Sequence, residues 1–400
     1  MRRLAPAMSR AMLAALMASG AAFAAPAPSI APGPQLDLRY RLEQVHQDGF
    51  PHDALASTLR TRLGYRFREH EGWSALVSMQ DNRAIGDDRY NSTRNGRFAY
   101  PVVADPGDTG LDQAYVQYRG WKALELRLGR QVIKLDNDRF VGNVGFRQLE
   151  QSFDAFRATW RPADALRIDY AYLTRVNRIF GAHNPDPLKA RQNLDTHLLH
   201  AAWTQPYATL VGYLYLIGNQ SLPASSHRDL GLRWVGHAVR DADWRLDYTL
   251  EATQQRAWKD GTLDGSRHYL HGEVALAVNA WSGKLGHERL QGNGISALQT
   301  PLATLHAFNG WSDRFLVTPP NGLADSYAAL GWKANRWHVQ AIAHRFGATH
   351  TRLHYGNELD FSAAYAFGRH LATSLALANY RADHYGTSTR TLWLTLQYKL

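Results

Sequence analysis

From Leu36 onward, apolar and polar residues alternate along the chain. Leu36, Leu38, Tyr40 and Leu42 share one face of an extended segment, and Asp37, Arg39, Arg41 and Glu43 share the other. Successive strand side chains point to opposite faces, so this period of two predicts strands that are greasy on one side and polar on the other. A second segment sets Leu59, Leu63, Tyr65 and Phe67 against Arg60, Arg62 and Arg66. Another sets Trp244, Leu246, Tyr248 and Leu250 against Arg245, Asp247, Thr249 and Glu251. Segments of this kind begin near residues 35, 55, 73, 111, 123, 152, 165, 194, 208, 227, 243, 268, 281, 323, 337, 358, 371 and 390, which makes eighteen. A spacing of about 21 residues per strand and connection suits tilted strands of roughly 9–11 residues, the length that crosses a bilayer.

The connections alternate in length. Short turns at 69–72, 161–164 and 333–336 interleave with long loops at 83–110, 134–151, 176–193 and 289–322. That asymmetry distinguishes the two ends of a transmembrane barrel, and an even strand count returns both termini to one side. Tryptophans recur near strand ends (Trp73, Trp121, Trp160, Trp203, Trp244, Trp281, Trp332 and Trp337), which predicts aromatic girdles at both membrane interfaces. The last strand places Leu392, Leu394, Leu396 and Tyr398 outward and ends at Leu400. The expectation is an all-β fold: an antiparallel transmembrane β-barrel of about eighteen strands over residues 35–400. A soluble β-sandwich also alternates, but regular hairpins with aromatics at the rims fit closure better.

The N-terminus has a different composition. Arg2, Arg3 and Arg10 precede the apolar stretch 11–18 and the small-x-small pattern Ala22-Phe23-Ala24, the signature of a secretory signal peptide over residues 1–24. A Pro-rich lead-in with Pro26, Pro28, Pro32 and Pro34 fills residues 25–34. Losing the leader's three arginines lowers the formal charge from +10 to +7, still basic enough to favour anionic partners. The chain has no cysteine, so a secreted fold must be held by pairing and not by disulfides. Mean hydropathy is −0.40, and no window beyond the leader is apolar enough for a helical span. A barrel is allowed, because only every second residue faces lipid.

The inward face is rich in arginine: Arg39, Arg41, Arg60, Arg62, Arg66, Arg119, Arg127, Arg157, Arg167, Arg175, Arg233 and Arg245. In a lumen they form a basic wall suited to acidic solutes, because guanidinium stays charged and grips carboxylates in bidentate fashion. The competing reading pairs them with inward Asp37, Glu43, Glu125, Asp169, Asp229, Asp247 and Glu251 as structural ladders. No enzyme motif is present, neither G-x-S-x-G nor H-E-x-x-H. Individual pairs such as His306 with Asp313, or His344 with inward Glu358, can be posed as acid and base of a barrel-borne hydrolase of lipid or polysaccharide at the rim. A loop-plugged adhesin or assembly component is a third reading. Asp87-Asp88 and Asp136-Asn137-Asp138 offer oxygen ligands for calcium, but turn chemistry explains them more simply. No cofactor, metal or nucleic-acid partner is expected, since the positive charge follows strand alternation and forms no surface stripe.

Four long strings resemble the alginate-export family of outer-membrane porins: YPVVADP from Tyr100, GRQVIKLDNDRFVGNVGFRQLEQSFDA from Gly129, RVNRIFG from Arg175 and TPLATLHAFNGWSDRFL from Thr300. The resemblance implies a monomeric eighteen-stranded barrel in the outer membrane of a Gram-negative bacterium. It further implies passage of an anionic polyuronate through a basic lumen constricted by infolded loops. The loop within the Gly129 string would carry Arg130, Arg139 and Arg147 inward to narrow the pore. The expected function is passive passage of anionic saccharides or small acidic solutes. The expected partners are outer-membrane lipid and lipopolysaccharide, the solute itself, and the barrel-assembly machinery during biogenesis.

Overall fold

The computed structural model describes residues 31–400 apart from position 242. The expected signal peptide and most of the expected lead-in lie outside the described residues. Eighteen strands form one sheet: β1 (Gly33–Gln47), β2 (Ala54–Arg66), β3 (Trp73–Arg89), β4 (Asp108–Trp121), β5 (Leu124–Gln131), β6 (Ser152–Ala163), β7 (Leu166–Asn177), β8 (Arg191–Gln205), β9 (Ala208–Ile217), β10 (His227–Asp241), β11 (Trp244–Ala257), β12 (Ser266–Val278), β13 (Trp281–Leu290), β14 (Leu323–Ala334), β15 (Trp337–Gly347), β16 (His354–Ala366), β17 (Leu371–Ala382) and β18 (Thr389–Lys399). Each pairs antiparallel with its sequence neighbours. β1 pairs with both β2 and β18, setting Leu38 opposite Tyr398 and Leu42 opposite Leu394. The backbone N–H of Leu400 donates to the Leu36 carbonyl, so the chain end completes the seam. Closure leaves no open edge, which is what lets strands cross a membrane. No described helix is long and apolar enough to cross one.

The period of two sorts the side chains as the pattern requires. Leu63, Leu128 and Leu285 stand outward at 58%, 59% and 62% exposure, whereas Arg60, Glu43, Asp229 and Asp360 are buried inside. Pairing begins at Gly33, inside the expected lead-in. Two-residue turns at 122–123, 164–165, 206–207, 279–280 and 335–336 close one end, while connections at 90–107, 132–151, 178–190 and 291–322 extend from the other. The alternation in length is not strict, because the first two connections, 48–53 and 67–72, are equally long.

The expectation that these tryptophans mark aromatic girdles at both ends is corrected. Every one of the tryptophans singled out lies at the short-turn end: Trp73, Trp244, Trp281 and Trp337 begin strands that rise from it, and Trp121, Trp160, Trp203 and Trp332 lie in the last turns of strands that return to it. At the long-loop end the outward positions carry Arg228, Arg256, Arg289, Arg345, Arg381 and Arg390 instead. The sequence pattern marked strand ends without telling which end.

The apolar core of this barrel lies inside it. Ile133, Leu135, Phe140 and Val141 from loop 132–151, with Leu298, Leu302 and Phe315 from loop 291–322, pack against inward Tyr213, Tyr215, Tyr269, Phe346 and Tyr380. Both loops therefore fold into the lumen at the long-loop end.

Lipid exposure of the outward face makes a charge there costly. Leu394→Arg, at mid-height on β18, is expected to lower stability by about 2–4 kcal/mol, and the same change at lumen-facing Ser374 by much less. Reversible denaturant unfolding in lipid vesicles measures both.

Candidate functional site: a loop-braced lumen with a basic wall

Three loops meet inside the barrel. Loop 132–151 leaves β5, crosses the interior and returns to β6. On the way Phe140 packs 5.5 Å from both Tyr213 and Tyr269. Arg139 pairs with Glu288 of β13 at 2.9 Å and donates to Asn309 Oδ1. Further along, Gln148 donates to Thr58 Oγ1 of β2 at 2.8 Å, and its own Oε1 accepts from Arg39. Glu150 receives Arg62 at 3.1 Å.

Loop 291–322 lies against this strap. Val141 and Leu302 form a parallel bridge, the Gly142 N–H donates to the Leu302 carbonyl, and the Val144 N–H donates to Thr304 Oγ1. A Cβ on Gly142 would overlap Thr304 Oγ1 and Asp138 Cβ, so glycine permits the close approach. Val144 adopts φ 52°, a conformation β-branched residues rarely enter, and the Thr304 hydrogen bond helps hold it there. Loop 90–107 contributes Asp105, which accepts the Gln148 backbone N–H at 2.8 Å.

Arg147 is the junction. Its guanidinium reaches Glu43 of β1 at 3.2 Å, Asp105 at 3.8 Å and Asp313 at 2.6 Å, so it ties the barrel wall to all three loops. Burial disfavours its charge, yet the three carboxylates outweigh that and push its pKa above the ordinary value. Burial likewise raises the Asp313 carboxyl, but His306 and Arg147 prevail and hold it at about 2. Phe146 stacks on His306 at 3.5 Å and receives the Arg41 guanidinium at 4.2 Å.

The arginines expected at the pore fall into separate groups. Arg39, Arg41 and Arg60 are almost fully buried beneath the strap. Arg39 donates to Gln148 and to the carbonyls of Gly145 and Arg147, Arg41 donates to the Phe146 carbonyl at 2.7 Å, and Arg60 pairs with Asp37 at 2.6 Å. Arg39 and Arg41 anchor the loop, whereas Arg60 is held to the wall by Asp37 of β1. Arg139 and Arg147 lie inside the barrel, but they too are buried, as cross-braces. Arg62, Arg66, Arg127 and Arg157 are partly exposed on the inward face. Arg127 shares Glu125 with Arg119, and Arg157 shares Asp169 with Arg167, so each carboxylate serves two guanidiniums. Arg130 is corrected: it alternates with inward Arg127 and falls on the outer face beside exposed Leu128, paired with Asp154 at 2.7 Å. Arg175 joins the same outer pair, because β7 shifts register between Leu173 and Arg175.

The lumen is polarised from side to side. The inward face of β1–β7 carries the arginine excess just described. Across from it, β10–β16 presents Asp229, Glu273, Glu288, Asp325, Glu358 and Asp360. Neither proposed acid–base pair stands as an open catalytic site. His306 and Asp313 do meet at 2.8 Å, but beneath Phe146 and within the Arg147 junction. His344, although opposite Glu358 in register, hydrogen-bonds Asp325 at 3.0 Å. Asp87 and Asp88 pair with Arg89 and Arg97, Asp136 with His200, and Asp138 with Lys134. Among the described residues no group of three or more His, Asp or Glu is arranged to hold a metal ion.

Sequence reasoning missed Asp105, Gln148 and Glu150 as anchors, and Phe146 as the ring between the His306 imidazole and the Arg41 guanidinium. All four lie within the unusual strings at 100–106 and 129–155, the one signal that pointed to them.

A family model described as alginate export matches residues 33–294. No curated protein matches the chain. Among solved structures, OccAB4 from Acinetobacter baumannii superposes with a TM-score of 0.72 at 13% identity, covering 93% of this chain and 99% of that one. OpdQ from Pseudomonas aeruginosa gives 0.69 at 14% identity over 92% and 98% of the two chains. OpdK from the same organism, in a structure with vanillate, gives 0.69 at 14% over the same shares. At these identities the likeness establishes a shared eighteen-stranded barrel fold.

Breaking a buried ion pair from one side leaves uncompensated charge, so Arg147→Ala is expected to cost about 3–5 kcal/mol, to raise single-channel conductance and to open residues 132–151 to protease. Unchanged conductance would remove Arg147 from its bracing role. The depressed Asp313 pKa means its contribution is complete above about pH 4 and fades as pH falls toward 2, with about 2 kcal/mol at stake. Conductance recorded from pH 7 to pH 2.5 should rise only below pH 4.

Proposed function

This chain belongs to the alginate-export family, and on that premise we propose that it is an outer-membrane channel through which anionic saccharides or small carboxylates diffuse passively. The observation that carries this reading is the partly exposed arginine wall of β4–β7, where Arg119 and Arg127 share Glu125 and Arg157 and Arg167 share Asp169. Two guanidiniums per carboxylate leave positive charge uncompensated on the lumen-facing wall. An anion entering there exchanges hydration for charge-assisted hydrogen bonds already in place. The facing carboxylates of β10–β16 create a transverse field that orients a solute carrying both hydroxyls and a carboxylate. Placing the short turns toward the periplasm and the long loops outside agrees with the usual asymmetry of such barrels. The vanillate in the OpdK structure is a small carboxylate, the same chemical class.

Diffusion needs no catalytic group, and direction follows the concentration gradient. The strap sets what can pass by bracing across the lumen, so selectivity by size resides in loops 132–151 and 291–322 and selectivity by charge in the strands.

The test is the permeability ratio in planar bilayers. The wild-type channel should prefer chloride to potassium, and Arg127→Glu with Arg157→Glu should shift the ratio severalfold toward cations, since each reversal changes the local charge by two units. Arg60 makes a poor probe because it is buried against Asp37. Cation preference in the wild type, or a ratio unmoved by the double reversal, would overturn the reading.

A further inference from the structure

The outer wall at the long-loop end carries a feature the channel does not use. Across β14–β17, register neighbours at one height and on the lipid-facing side are Ser326, Arg345, Asn357 and Arg381, and β18 adds Arg390 opposite Asn379. Among the described residues, Arg345, Arg381 and Arg390 enter no ion pair and no side-chain hydrogen bond. All three are exposed. A guanidinium held at a membrane boundary with no protein partner is poised for an anion from outside.

Beneath them the wall is concave. A groove of about 760 Å³ is floored by Ala328 and Ala343, flanked by Leu285 and Leu359, and capped by Arg345 and Arg381. A second hollow of about 250 Å³ continues from it through Asn379 and Arg381 to Arg390. Its single carboxylate, Asp48, faces His46 at 3.5 Å. Small residues create the hollow and larger ones wall it, so it accepts apolar chain below the basic row. The aromatic belt that lines the opposite end is replaced here by arginine, which fits an interface dense in phosphate better than one of ordinary zwitterionic headgroups.

We propose that this face is a binding site for a phosphorylated, multiply acylated glycolipid of the outer leaflet, that is, the lipid A moiety of lipopolysaccharide. Its phosphates lie on Arg345, Arg381 and Arg390, and one acyl chain fills the Ala328–Ala343 groove. Asn357 and Asn379 supply hydrogen bonds to sugar hydroxyls between the cations. This site is independent of the lumen, and its occupancy does not depend on what the channel conducts.

The test uses the purified, delipidated full-length barrel in detergent, titrated with diphosphorylated lipid A, with phosphatidylglycerol and with inorganic phosphate, and read by native mass spectrometry. Lipid A is expected to bind at one defined stoichiometry and at least about tenfold more tightly than phosphatidylglycerol. Arg345→Glu with Arg381→Glu should lose about tenfold or more, the loss of two charge-assisted contacts. The same charge change at Arg228 and Arg256, elsewhere on this rim, should leave binding intact. Ala343→Phe, which fills the groove and keeps the cations, should also weaken binding. Heat-modifiable migration and wild-type conductance confirm that each variant is folded. Equal affinity for phosphatidylglycerol, displacement by inorganic phosphate alone, or equal losses in both arginine pairs would overturn the site, and an unaffected Ala343→Phe would remove the acyl groove from it.

Discussion

Every peptide N–H and C=O that crosses a bilayer must find its partner within the protein, because hydrocarbon offers none. The pairing of β1 with β18 meets that demand here by closing the sheet, and most else follows from it. Closure turns the strand's period of two into an inside and an outside, so the same alternation that looks unremarkable in average hydropathy builds a lipid-facing wall of leucine and aromatic side chains. It also gathers the polar half of every strand around one enclosed space. A barrel of this girth cannot fill that space with strand side chains alone. The chain supplies loops instead.

Those loops convert the interior from a pipe into a braced passage. Apolar residues of loops 132–151 and 291–322 make a core against inward tyrosines, and Arg147 joins wall and loops through Glu43, Asp105 and Asp313. The cost of removing these charges from water is offset only because each finds several partners, which makes the arrangement specific as much as stable. Arginine therefore does two jobs in this lumen. Buried under the strap it anchors, and half-exposed on β4–β7 it faces the lumen.

How much of this was legible in the sequence depended on range. Strand alternation is local, and the expected strand starts fall within a few residues of those observed, for example 152, 208, 227, 281, 323, 337 and 371 at the residue itself. Which arginines stay accessible is not local. Arg60 and Arg62 read alike in a strand pattern, yet Arg60 is buried against Asp37 while Arg62, paired with Glu150 of the strap, keeps a partly open side. Arg130 read as a loop residue, but β5 runs one residue beyond it and alternation sends it outward. The tryptophans marked strand ends correctly, but assigning them to one end required knowing the direction of every strand, which a count of hairpins supplies and a list of rings does not. The strings at 100–106, 129–155 and 300–316 resembled a family before their reason was visible: they are the three loops that converge on Arg147.

The central claim is that neighbouring strand positions face a basic aqueous lumen and lipid in turn. The absence of native cysteine allows a direct measurement. Single cysteines at residues 125, 126, 127 and 128 of β5, in the reconstituted channel, would be challenged with water-soluble anionic and cationic thiol reagents while current is recorded. Labelling and current block at 125 and 127 but not at 126 and 128, with the anionic reagent reacting faster, is the expected result. Reaction at all four positions alike, or a faster cationic reagent at 125 and 127, would contradict it.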